Sequence, residues 1–141
     1  MAPLILLLVL FLLLVVPLGW QTAIRVSLAG MFFLTASAHW GRRRADLIRM
    51  VPRRFPRPEL LVTVTGVCEI LGAIGLLMPG FARPAAIGLT LLLIALFPAN
   101  VRAAREGMTI GGKPATPLVA RSVIQAVFLI ATIAVAVGSS G

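Results

Sequence analysis

The sequence predicts an all-α fold: a polytopic membrane helical bundle of four core transmembrane helices plus one extra N-terminal transmembrane helix. Three observations predict it. Hydrophobic residues make up 60% of the 141-residue chain and charged residues 12%, with a mean hydropathy of +1.06, whereas soluble domains run at about 45–50% apolar and about 25% charged. The apolar residues gather in blocks close to the ~20 residues that cross ~30 Å of hydrocarbon. The basic residues lie between those blocks, where the positive-inside rule accounts for them without a nucleic-acid partner. Closed helices satisfy their own backbone groups in lipid, and the blocks lack the two-residue alternation of a barrel.

Five segments follow in order: residues 2–18, 23–40, 59–78, 82–98 and 118–137. The first is a continuous Leu/Val/Ile/Phe run. It has no basic flank before it and no Ala-x-Ala site after it, where Pro17, Leu18, Gly19 and Trp20 stand instead, so it reads as a retained helix and not a signal peptide. The fourth is short in its apolar run, residues 85–98, and Phe81, Ala82 and Pro84 extend it at its start. The length suits one compact bundle without a separate soluble domain.

Arginine placement sets the expected orientation. Between the second and third segments lie Arg42, Arg43, Arg44, Arg49, Arg53, Arg54 and Arg57; between the fourth and fifth lie Arg102, Arg105 and Lys113, with Arg121 just beyond. A hairpin of the third and fourth segments puts both loops on one side, which should be cytoplasmic. The N-terminus is then cytoplasmic and the C-terminus outside, in a multi-pass protein of the cell inner membrane. Within the first basic loop, residues 42–50 suit a short interfacial helix with Leu47, Ile48 and Met50 toward lipid. Pro52, Pro56 and Pro58 favour an extended run after it, and the arginines suit contact with anionic lipid. Trp20 and Trp40 suit aromatic belts at opposite interfaces.

One carboxylate sits at bilayer depth. Glu69 lies ten residues beyond Glu59, hence roughly 15 Å in at 1.5 Å per residue. Intramembrane carboxylates are costly and are functional candidates by default. Its helical neighbours Thr65, Gly66, Gly72 and Ala73 are small or polar, a face suited to close helix approach, so Glu69 should point into the bundle. His39, Asn100, Arg121 and Gln125 fall toward the same leaflet, the last two spaced i,i+4. Together they predict a polar site in the cytoplasmic half, with Arg25, Gln21 and Thr22 the main polar groups opposite. Glu69 is expected to be largely protonated unless Arg121 reaches it. A carboxyl and an imidazole side by side can exchange protons with a lipid-soluble ligand such as a quinone. The bland reading is that Glu69 hydrogen-bonds across helices and fixes packing. Cys68, next in sequence but about 100° round the helix, reads as a small buried hydrophobe.

Other chemistries find little footing. One cysteine and one histidine cannot form a zinc site or an intrachain disulfide. Residues 107–113 fit the opening of a phosphate-binding loop, but Pro114 stands where Ser or Thr is needed and no strand is expected before it, so no nucleotide is expected and Gly111-Gly112 reads as a turn.

Ala29-Gly30-Met31 leading to Ala38-His39-Trp40, then Gly66-Val67-Cys68-Glu69 with its Ile-Leu-Gly-Ala-Ile-Gly continuation, then Phe97-Pro98-Ala99-Asn100, resemble the DoxX family of small integral membrane proteins. Arg44–Pro52 is similar to actinobacterial members. The resemblance covers the second to fifth segments and implies a four-helix core, to which the N-terminal helix is an addition. It implies recurrent polar positions at His39, Glu69 and Asn100. The family takes its name from a subunit of quinone-linked sulfur oxidation in archaea, and other members are similar to anchors in complexes with thiol-redox and superoxide-detoxifying enzymes. The expected function is therefore a quinone-linked membrane oxidoreductase component, with Glu69, His39, Asn100, Gln125, Arg121 and Thr65 as ligand or proton-site candidates. Quinone is the expected ligand, no cofactor is intrinsic, and a redox partner protein supplies electrons. The alternative is a non-catalytic membrane scaffold or lipid-binding protein with Glu69 as packing glue.

Overall fold

A computed structural model describes residues 2–78, 80–110 and 112–138. It is helical almost throughout: α1 (Ala2–Ser37), α2 (Arg44–Met50), α3 (Pro58–Leu77), α4 (Ala82–Arg105) and α5 (Leu118–Gly138), with a two-stranded antiparallel hairpin, β1 (Thr109–Ile110) and β2 (Lys113–Pro114), before the last. Four of these helices, α1, α3, α4 and α5, are long and apolar enough to cross a membrane. Their outer faces carry large exposed apolar side chains, Val16 and Val137 among them at 90% and 80% exposure. That is untenable in water and ordinary in lipid. The protein is an integral membrane protein.

α1 contains two of the expected segments. Gly19 breaks it, with φ 80° and ψ 162°, a backbone region essentially reserved for glycine. The second arm, residues 20–37, folds back on the first: a Cβ at Gly30 would stand 2.9 Å from Leu10 Cδ1. A straight helix would separate those residues by about 30 Å. No interhelical loop of the expected length intervenes, because one glycine achieves the reversal.

α1 packs on α3, α3 on α4, α4 on α5, and α5 returns to α1. Leu28 and Phe32 of α1, Ala73 and Leu76 of α3, Leu89 of α4 and Phe128 of α5 build the shared core, and Leu7 joins it from the first arm. Lipid tails are as apolar as these side chains, so the core is held by close packing and not by a hydrophobic driving force. Gly72 shows how close: a Cβ there would lie 2.5 Å from Leu89 Cδ2.

Several boundaries differ from expectation. The second segment ends at Ser37, leaving His39 and Trp40 in a turn. α3 begins on Pro58, because a proline at the first helical position forfeits an N–H that would be orphaned anyway. α4 continues through Pro98 to Arg105; that ring removes the donor for Ile94 O, and Gln125 Nε2 donates to the adjacent Leu93 O at 2.8 Å. The interfacial helix forms, but Met50 is buried against the protein instead of facing lipid. The glycine loop holds a small strand pair with Gly112 at φ 79°; Gly111 lies outside the described residues.

Both basic loops occupy one end. Arg44 donates to Glu59 O at 3.1 Å and to Thr63 Oγ1 at 2.9 Å, and Arg102 Nη1 donates to Val51 O. At the opposite end Arg25 Nε donates to Leu76 O at 2.8 Å, supplying one of the carbonyls orphaned at the C-terminus of α3.

Candidate functional site

α1 stops below the level at which α3 starts, and that offset builds the site. After Ser37 the chain turns at Ala38–Trp40, with His39 N bonded to Ala36 O at 2.9 Å. The turn rests against Gly66, seven residues into α3 from Glu59 and roughly 10 Å along it. A Cβ on residue 66 would lie 2.8 Å from both His39 Cβ and Trp40 Cη2. One helical turn further, Glu69 faces the same partner. The Gly66-x-x-Glu69 spacing is thus an address: the glycine admits the His39–Trp40 turn and the carboxyl meets the helix behind it.

Glu69 is 4% exposed, as its small-residue face predicted. Thr35 Oγ1 donates to Glu69 Oε2 at 3.0 Å and lies 3.1 Å from Phe32 O, so its single hydrogen can serve only one of the two at a time. His39 Nδ1 stands 3.1 Å from Thr35 O and 3.8 Å from Glu69 Oε2. A carbonyl only accepts, so Nδ1 carries the hydrogen in that contact and Nε2 is the nitrogen left to take or give a proton. Arg44 Nη1 donates to His39 O at 2.8 Å and fixes the turn from the basic end.

Thr35 is the residue that sequence reading missed. Its signal was present: Thr35 and His39 are spaced i,i+4 within the expected segment 23–40, the spacing of one helix face. Thr65, which was expected beside Glu69, instead turns its hydroxyl back to Leu61 O at 2.9 Å and Val62 O at 3.1 Å, the local bond that helical threonines commonly make.

The remaining candidates form a second group between α4 and α5. Arg121 Nη1 donates to Asn100 Oδ1 at 2.7 Å and its Nε donates to Thr116 O at 3.0 Å. Gln125 is engaged with Leu93 O, as above. Among the described residues, hydrogen bonds join His39, Thr35 and Glu69 in one group and Asn100 and Arg121 in another, and none links the two. The single site expected from five residues is therefore two groups toward the same end. The reason is that Glu69 turns from α3 toward α1, whereas Arg121 turns from α5 toward α4. Arg121 is held by Asn100, not by Glu69.

Cys68 is exposed, against the expectation of burial. It lies about 100° round α3 from Glu69, and once Glu69 faces α1 that rotation carries the thiol to the lipid side.

No curated protein and no solved structure matches the chain. One family model does, over residues 28–137, under the description "Domain of unknown function (DUF8561)". The match takes in the second arm of α1 from Leu28, then α2, α3, α4 and α5 as far as Val137, hence His39, Glu69, Asn100, Arg121 and Gln125.

Proposed function

The chain belongs to the DUF8561 family, and from that premise we propose that it is a membrane component of a quinone-linked oxidoreductase system whose own contribution is a buried acid–base pair. One observation carries the reading: His39 Nδ1 lies 3.8 Å from Glu69 Oε2, with the two side chains 9% and 5% exposed. Two proton-holding groups in contact within a membrane bundle are what reduction of a quinone to a quinol requires of its protein, because two protons must accompany two electrons. In this reading the Glu69 carboxyl gives one proton to a quinone oxygen and the imidazolium gives the other from Nε2 as two electrons arrive, Nδ1 keeping its hydrogen on Thr35 O, and both groups are then reprotonated. Electrons come from a partner redox protein. The resemblance of Gly66–Glu69 and Phe97–Asn100 to the DoxX family supports the same reading. In it the protein sits in the cell inner membrane with its arginine-bearing end and N-terminus cytoplasmic and its C-terminus outside, as the distribution of basic residues favours.

A second reading is favoured by the Thr35–Glu69 hydrogen bond, which ties α1 to α3: a non-catalytic scaffold or lipid-binding protein in which Glu69 is an interhelical join. Glu69→Gln, which keeps an acceptor for Thr35 but holds no titratable proton, and Glu69→Leu, which keeps neither, separate the two. Quinones extracted from the purified full chain are measured by mass spectrometry, and stability by thermal unfolding in detergent. Loss of quinone from a folded variant supports the acid–base site. A variant that unfolds early, from a wild type that never carried quinone, supports the join.

A further inference from the structure

At the arginine-bearing end, α2, the proline run and the end of α4 enclose an open cleft of about 540 Å³. It shares no residue with the His39–Glu69 pair. The volume falls in the ~300–1,000 Å³ range of small-ligand sites. Its charged lining is Arg49, Arg53, Arg102 and Glu106. Arg102 is partly spent, with Nε on Glu106 Oε2 at 2.6 Å and Nη1 on Val51 O. Arg49 contacts Asp46 and is 59% exposed. Arg53 is exposed and makes no hydrogen bond or ion pair among the described residues. Three guanidinium groups against two carboxylates leave one surplus positive charge, and a guanidinium presents several donors, so each paired arginine keeps others for an anion.

The rest of the lining is apolar. Val51, Phe55 and Met108 face the same space, and Phe55 is 42% exposed. Position completes the picture: the cleft lies where α3 and α4 emerge from their apolar spans, beside a short helix with one buried face. We propose that this cleft binds the phosphate of an anionic glycerophospholipid, the arginines holding the phosphate and the apolar wall receiving the glycerol end of the acyl chains. A free phosphate would use the arginines and leave that wall bare.

The test is native mass spectrometry of the full chain in neutral detergent, titrated separately with phosphatidylglycerol, phosphatidylcholine and inorganic phosphate. Phosphatidylglycerol is expected to bind in preference to phosphatidylcholine, and excess inorganic phosphate is expected not to displace it. Arg49→Ala with Arg53→Ala should weaken phosphatidylglycerol about thirty-fold, from the loss of two arginines near an anionic headgroup. Arg42→Ala with Arg43→Ala removes equal charge from exposed positions outside the cleft and should weaken it no more than about threefold. If the alanine pair in the cleft does not fold, Arg49→Lys with Arg53→Lys keeps charge but not the planar fork and should still lose several-fold. Equal losses in the two alanine pairs, unchanged binding in the cleft variant that folds, or displacement by inorganic phosphate would each overturn the proposal.

Discussion

His39 Cβ occupies the place that a side chain on Gly66 would need: a Cβ built there lies 2.8 Å from it. Trp40 closes the same spot from its ring edge at 2.8 Å. Neither neighbour can yield cheaply, since one atom is attached directly to backbone and the other belongs to a rigid ring. Gly66→Ala should therefore push the Ala38–Trp40 turn off α3 and destabilise the bundle by about 1–3 kcal/mol, the usual range for overpacking. Thermal unfolding in detergent measures it; an unchanged midpoint would show that the turn is not seated on Gly66.

The Thr35–Glu69 bond is a second join between the same helices. Thr35→Val keeps the shape and removes the hydroxyl, and should cost about 0.6 kcal/mol, the average for a hydrogen bond between membrane helices. A double-mutant cycle with Glu69→Leu, which removes the acceptor, isolates that coupling. Additive losses would mean that the two side chains do not interact.

Asn100 and Arg121 make the equivalent join between α4 and α5, at 2.7 Å. Asn100→Leu takes away one acceptor from a part-buried guanidinium and leaves it Thr116 O at 3.0 Å. The expected loss is about 1–3 kcal/mol, the penalty for leaving such a donor unmet. Arg121→Leu combined with Asn100→Leu should recover part of it, because no stranded charge remains. Failure of the double variant to recover any stability in the unfolding assay would count against the pair.

Gly19 reverses α1 at φ 80° and ψ 162°. Alanine reaches that region only with strain of about 1–3 kcal/mol. Gly19→Ala should lower the unfolding midpoint and loosen the first arm, seen as faster cleavage near residue 19 by a protease added to the detergent-solubilised protein. Cleavage at the wild-type rate would mean that the reversal tolerates a side chain.

Much of this was legible in the chain. The five apolar blocks, the interfacial helix and the inward turn of Glu69 all follow from hydrophobic content and helical period, which are local properties. The reversal at Gly19 was hidden because one glycine can do what a loop usually does, and the blocks on both sides read as separate helices either way. Pro98 looked like a helix end because a missing donor is visible in sequence, while the side-chain donor that tends its neighbour, Gln125, sits on another helix. Thr35 looked like an ordinary hydroxyl in an apolar run until α3 was laid beside it.

By itself, then, the sequence determined that this is a helical membrane bundle, that most of its arginines collect at one end, and that Glu69 faces inward. Those depend on composition and on 3.6 residues per turn. Tertiary structure alone decided who meets whom: Glu69 with Thr35 and His39, Arg121 with Asn100, and Cys68 with lipid. The physical reason is helix offset. α1 ends short of the start of α3, and this stagger, set by the Gly66 contact and by the Arg44 bonds to Glu59 and Thr63, selects which turn of one helix a side chain on the other will touch.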